Sequence, residues 1–237
     1  MNMKSSRKKI FKNPYWYNLF TSHQEFSFLE PSEFSSWKMI LGNEAPLNVE
    51  IGCGQDDSIL KRAQFSQDQN FIGIENQAQF LRKTAKKLLR LGLKNVCLMN
   101  MDGIFALKYF FKTDKVQRFW MNFPDPWPKE RHQFRRLFQY PCFQLICNRL
   151  KVGGEFLIKS DFYDAVELAH QILNNFNEME SLYGSDVQNA LSTQFDTKYE
   201  KKYRLEGREI FQGIWTKQHN FNNQYKNFIE KIGPMTV

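Results

Sequence analysis

Short apolar runs recur between residues 47 and 159, and the segments that separate them decide what the chain can fold into. Leu47–Ile51, Phe71–Glu75, Val96–Met99, Arg118–Asn122 and Glu155–Lys159 are each bounded by turn or polar residues, the pattern of strands buried on both faces. Between the second and third runs, Ala78, Leu81, Ala85 and Leu88 fall on one face at steps of three and four. This predicts a helix over Asn76–Leu91, stopped by Gly92. Further helices are predicted over 134–150, closed by a turn at Lys151-Val-Gly-Gly154, and over Tyr163–Phe176. Strands alternating with helices require right-handed crossovers, so the expected fold is α/β, with a doubly wound, mostly parallel sheet and helices on both faces. Residues 1–45 read as a basic N-terminal arm with partial order, and residues 46–237 as a single domain.

Of the 237 residues, 42 % are hydrophobic and 16 % aromatic, enough for one sizeable core and too apolar for disorder to be the main state. No run approaches the roughly eighteen apolar residues of a membrane span. No apolar stretch follows the basic N-terminus, so no secretory signal is expected. Cys53, Cys97, Cys142 and Cys147 form no C-x-x-C pair, which argues against a disulfide framework or a metal site and suits the cytoplasm. The net charge of +8 is gathered in three places. Lys4, Arg7, Lys8, Lys9 and Lys12 form one cluster, and Arg82, Lys83, Lys86, Lys87, Arg90 and Lys94 a second. Lys129, Arg131, Arg135 and Arg136 form the third, against the single acid Glu130. Any one of these reads as a solvated face; together they suit a phosphate backbone.

Val49-Glu-Ile-Gly-Cys-Gly54 is a strand running into Gly-x-Gly, where the backbone can turn tightly and approach a ligand. Gly52 and Gly54 supply that turn, and Glu75, ending the next strand, is placed to accept hydrogen bonds from ribose hydroxyls. A dinucleotide site wants glycine at position 57, where this chain has Asp57, and Glu50 adds an acid before the first glycine. That arrangement fits a cofactor with a cationic amino-acid end, S-adenosylmethionine rather than NAD. Asp102, after the third strand, is either an acceptor for an adenine amino group or part of an Asp-Gly turn. In Asn122-Phe-Pro-Asp-Pro-Trp-Pro-Lys-Glu-Arg-His132 three prolines fix the backbone around Asp125. Trp127 offers a stacking surface, and the cations that follow offer phosphate partners.

These residues resemble the bacterial tRNA (guanine-N7-)-methyltransferases, class I S-adenosylmethionine enzymes with a Rossmann-like sheet, from about residue 47 to 216. The resemblance rests on Glu50-Ile-Gly-Cys-Gly54, Gly73-Ile-Glu75, the string Asn122 to Lys129 with Arg131-His132 and Arg135-Arg136, Lys159-Ser-Asp161, and Thr193-Gln-Phe-Asp196. It implies that Glu50, Gly52, Gly54, Glu75, Asp102 and Asp125 line the cofactor pocket and that Asp125 is the catalytic residue. It further implies that Lys129, Asp161, Thr193, Gln194, Phe195 and Asp196 contact the substrate, and that Lys129, Arg131, His132, Arg135 and Arg136 lie on tRNA. The implied target is the guanine of the tRNA variable loop. Asp56 stands where the family usually has a third glycine, which predicts weakened cofactor binding that Asp56→Gly tightens. Asp196 stands for the glutamate of the family's Thr-x-x-Glu element.

Guanine N7 carries an in-plane lone pair and no proton, so methylation there needs placement and removal of water rather than a general base. Carboxylates such as Asp125 and Asp161 suit the N1–H and N2–H donors of guanine. Two other readings stay open: a class I methyltransferase acting on another base or on a protein, and a catalytically weak tRNA-binding relative.

Overall fold

The computed structural model describes residues 17–28, 33–124, 140–184 and 186–220. Two compact units divide between Gly103 and Ile104. The first contains β1 (Tyr17–Phe20), β2 (Glu25–Phe28), α1 (Trp37–Leu41), β3 (Leu47–Ile51), α2 (Ser58–Phe65), β4 (Asn70–Ile74), α3 (Ala78–Leu91) and β5 (Val96–Asn100). Its strands lie in the order β2-β1-β5-β4-β3. β3, β4 and β5 are parallel, with Val49 opposite Ile72 and Ile72 opposite Cys97, as the alternating pattern required. Every residue of β3 and β4 is buried, so both faces of these strands are covered. The hairpin β1–β2 pairs antiparallel and adds to β5, so part of the segment read as an N-terminal arm is built into the sheet.

Leu81, Ala85 and Leu88 form the buried face of α3, and Gly92 ends it at φ 64°, its N–H donating to the Leu88 carbonyl. The helix starts two residues later than the pattern suggested. Gln77 N–H is taken by the Glu75 side chain and the Asn76 carbonyl by the Asn100 amide, which holds 76–77 in a loop. Gly73 is required by packing: a Cβ there would meet Cys53 Sγ and Leu98 Cδ2 at 2.9 Å.

The second unit contains most of α4 (Gly103–Tyr109), then β6 (Val116–Asn122), α5 (Tyr140–Arg149), β7 (Leu150–Ser160), α6 (Tyr163–Leu173), β8 (Met179–Ser181), β9 (Gln188–Asn189), α7 (Lys198–Leu205) and β10 (Phe211–Lys217). Its strand order is β6-β7-β10-β8, with β9 also on β10. β6 and β7 are parallel, while β10 runs antiparallel to its neighbours. Phe143, Phe156 and Trp215 pack through the core at centroid distances of 5.7 and 6.1 Å, the first pair edge-on and the second tilted. The turn expected at 151–154 is instead a bulge inside β7: Val116 faces Leu150 and Arg118 already faces Glu155. Gly153 takes φ 74°, and a Cβ on Gly154 would meet the Lys151 carbonyl at 2.8 Å.

Candidate functional site

At the carboxyl end of β3, Gly52 at φ 75° and Gly54 at φ 57° turn the chain back in a conformation that favours glycine. The N–H groups of Gly52 and Cys53 donate to the Ile74 carbonyl at 2.9 and 3.0 Å. Glu75 completes the tie: Oε2 accepts from Gly54 N–H at 3.1 Å and Oε1 from Gln77 N–H at 2.7 Å. The Asn100 amide, at the end of β5, donates to the carbonyls of Glu75 and Asn76 at 2.9 and 3.1 Å. Three adjacent parallel strands are thus stitched together at the edge where such sheets bind ligands. Glu50 is 2 % exposed and receives the Ser58 hydroxyl at 3.1 Å on both oxygens, while Asp102 is exposed just beyond β5. Asn100 was missed from sequence; a polar residue ending a strand beside the acid of its neighbour was the available signal.

Asp56, expected to weaken cofactor binding, is held by its own chain. Its carboxylate is 6 % exposed and turns onto its own chain, Oδ1 accepting from Asp57 N–H at 2.6 Å and Ser58 N–H at 2.9 Å. It therefore occupies the N-terminus of α2, the place where a dinucleotide's pyrophosphate would sit. The residues present fit S-adenosylmethionine, which has no such group. Among the described residues a Cβ on Gly52 would meet nothing within 4 Å, so the loop is open on that side, with the Glu75 carboxylate beside it.

In the second unit, β6 ends at Asn122, and Phe123 takes φ 48°, a left-handed conformation that is strained for a bulky residue. The backbone is held there by Phe123 N–H donating to the Lys159 carbonyl at 2.8 Å. Asp125, Lys129, Arg131, His132, Arg135 and Arg136, together with Trp127, lie outside the described residues.

Near the same strands, Lys159, Asp196, Glu200 and Arg204 form a balanced cluster. Lys159 Nζ donates to Glu200 Oε1 at 2.9 Å, Arg204 Nη2 to the same oxygen at 2.8 Å, and Lys159 Nζ lies 3.8 Å from Asp196 Oδ1. Asp196 accepts from the Ser192 hydroxyl at 2.5 Å and from the Thr193 N–H and hydroxyl at 2.8 and 2.9 Å. Burial works to raise its pKa, yet those hydrogen bonds and the Lys159 ammonium leave it below the usual carboxylate range. Asp196 thus faces inward and shapes its loop, while Thr193 and Gln194 are exposed and Phe195 is half-buried. Asp161, on the edge beyond β7, accepts from Arg208 Nη1 at 2.9 Å. Among the described residues no group of three or more His, Cys, Asp or Glu could hold a metal, and no helix is long and apolar enough to cross a membrane.

Residues 44–213 match the model of a family described as "Putative methyltransferase". A tRNA (guanine-N(7)-)-methyltransferase of Streptococcus thermophilus is 31 % identical over 195 residues, covering 78 % of this chain and 91 % of that protein. The chain belongs to the tRNA (guanine-N(7)-)-methyltransferase family. The Thermotoga maritima relative is also 31 % identical, over 77 % of this chain, but the chain spans only 59 % of that protein's length. Among solved structures, a variant of the 16S rRNA (adenine(1408)-N(1))-methyltransferase from Catenulisporales acidiphilia, with cosubstrate SAM, aligns at a TM-score of 0.56. It shares 11 % identity and covers 87 % of this chain and all (100 %) of that one, a likeness of fold that places the chain in the class I methyltransferase architecture.

Membership of this family draws attention to a second match to the Thr-x-x-Glu element. It occurs in full at Thr197-Lys-Tyr-Glu200, four residues beyond Thr193-Gln-Phe-Asp196, and needs no shortened acid. Thr197 is the N-cap of α7, its hydroxyl accepting from Glu200 N–H at 3.0 Å, and Glu200 is 1 % exposed.

Proposed function

We propose that the chain transfers the methyl group of S-adenosylmethionine to N7 of the variable-loop guanine in tRNA, acting in the cytoplasm as one methyltransferase domain with a basic N-terminal arm. The observation that carries this reading is the string Phe123 to Lys129, which leaves the end of β6 through a backbone residue held in a strained conformation. Such strain persists where the surroundings impose a geometry, and it falls on the first residue of that string.

The cofactor, when bound, supplies an electrophilic methyl on a sulfonium. Gly52 and Gly54 admit it, Glu75 accepts from the ribose, and Glu50 and Asp102 complete the cofactor pocket. Asp125 and Asp161 hold the guanine edge so that N7 points at the methyl, while Lys129, Arg131, His132, Arg135 and Arg136 take phosphates. Thr193, Gln194 and Phe195 meet the substrate, with Thr197-Lys-Tyr-Glu200 as the fuller match to the family's element beside them, and Asp196 positions the loop. Orientation and exclusion of water are the whole task, because N7 has no proton to remove. The catalytically weak alternative rested on Asp56 obstructing the cofactor, and that carboxylate is engaged with α2.

The test is a tRNA carrying 7-deazaguanine at the variable-loop position, which keeps the Watson–Crick edge and lacks only N7. It is expected to bind like normal tRNA, to accept no methyl group and to inhibit competitively. Methylation of that nucleotide would overturn the N7 assignment and point to a nitrogen needing a base.

A further inference from the structure

α7 ends in a way that places one cation with unusual care. Gly207, at φ 76°, closes the helix: its N–H donates to the Arg204 carbonyl at 3.0 Å, and Arg208 N–H donates to the Tyr203 carbonyl at 2.9 Å. This paired closure folds Arg208 back over the last turn. Its guanidinium lands on the face of Tyr203, 4.5 Å from the ring centroid. The edge of the same guanidinium is engaged twice, Nη1 to Asp161 Oδ2 at 2.9 Å and Nη2 to Glu206 Oε2 at 3.0 Å. Tyr203 is itself braced by Phe123, with ring centroids 5.6 Å apart, and by Tyr199 at 6.1 Å. Even so, the Arg208 side chain is 51 % exposed.

A planar group with one face on an aromatic ring and its edge tied to carboxylates has its other face toward solvent. That is a poor phosphate ligand, since Asp161 and Glu206 bring two negative charges to one positive and repel a further anion. It is a good surface for a nucleobase, which stacks on guanidinium planes as it does on aromatic rings. The neighbours agree: Asp161 is in the proposed substrate set, and Phe123 opens the segment carrying Asp125.

We propose that Arg208 is a stacking shelf for a nucleobase of the RNA at or beside the methylated guanine, an inference that rests on the RNA-methyltransferase reading above. Arg208 then contributes through its plane and not its charge. Gly207 and Tyr203 are the positioning residues that set the plane.

The test is a binding cycle on full-length protein, needing no turnover. Wild type, Arg208→Lys and Arg208→Ala are titrated with tRNA that is intact or abasic at the variable-loop guanine or at either adjoining nucleotide. Base stacking of this kind predicts that removing one of the three bases costs wild type about 5- to 100-fold more affinity than it costs either variant. Arg208→Lys should behave like Arg208→Ala, and the salt dependence of binding should be the same in all three proteins. Rescue by Arg208→Lys would overturn the shelf in favour of a charge contact, as would equal losses at all three abasic sites. Methyl transfer is measured in parallel. A normal cycle with no transfer to guanine keeps the shelf and removes the proposed reaction, whereas transfer with no coupling removes the shelf alone.

Discussion

The Phe123 N–H donates to the Lys159 carbonyl at 2.8 Å, carrying the β6–β7 ladder one residue past its last paired position, Asn122 opposite Lys159. The same lysine sends its ammonium to Glu200 at 2.9 Å. One residue therefore fixes the start of the proline-rich segment through its backbone and the start of α7 through its side chain.

If Phe123 is held against its preference, glycine should suit the site better than alanine. Phe123→Gly and Phe123→Ala both lose the ring on Tyr203, but only alanine retains the Cβ at φ 48°. Phe123→Gly is expected to be the more stable by about 1 kcal/mol, the left-handed cost of a side chain. Denaturant midpoints decide it, and alanine equal to or above glycine would show that the position is unstrained.

Asp56→Gly is expected to destabilise the protein by about 0.5–2 kcal/mol, because two N–H groups at the start of α2 lose their acceptor. It should leave S-adenosylmethionine affinity unimproved. Thermal melts with titration calorimetry read both quantities, and a tighter cofactor in a stable variant would restore the obstruction idea.

Asp196 makes the loop before α7 sensitive to acid. Its pKa is lowered on folding, so folding favours the ionised form. The contribution is complete above the unfolded carboxyl value of about 4 and is lost as pH falls through the lower folded value. Hydrogen exchange at Ser192–Thr197 should accelerate over that range in wild type. Asp196→Asn should remove most of the dependence, and a wild-type profile in the variant would place the titration elsewhere.

Asp125→Ala should abolish methyl transfer with the fold intact, as read by circular dichroism. Neutralising Lys129, Arg131, Arg135 and Arg136 together should flatten the slope of log affinity against log salt by roughly two to four units. Near-normal turnover in the first variant, or an unchanged slope in the second, would move the chemistry or the RNA away from this segment.

What could be read in the sequence, and what could not, follows from how each feature is encoded. β3, β4 and β5 are covered on both faces, so they are spelled as short, mainly apolar runs, although β3 also buries Asn48 and Glu50, and Glu75 stands out where the β4 run stops. β10 hides its identity because Lys217 points inward, which reads as exposure; the structure satisfies it with Asp114 Oδ1 at 2.5 Å and the Leu150 carbonyl at 2.8 Å. β1 and β2 are four residues each and carry no clear period. The direction of the Asp56 side chain was not legible because a motif fixes where a residue lies in the chain and leaves its side-chain direction open. Thr193–Asp196 and Thr197–Glu200 are both threonine-led turns with a buried acid three residues on, adjacent in the chain, and helix capping by Thr197 is what separates them.

All four cysteines, Cys53, Cys97, Cys142 and Cys147, are free and buried. Burial pushes the thiols of Cys53, Cys97 and Cys147 well above their ordinary values, away from the reactive thiolate. The folded chain is in effect silent toward maleimides and other thiol reagents without any residue being replaced. A single cysteine introduced on its surface, at exposed Leu205 for instance, would be the one site to take a dye or spin label, so RNA arriving beside α7 can be followed on the natural background.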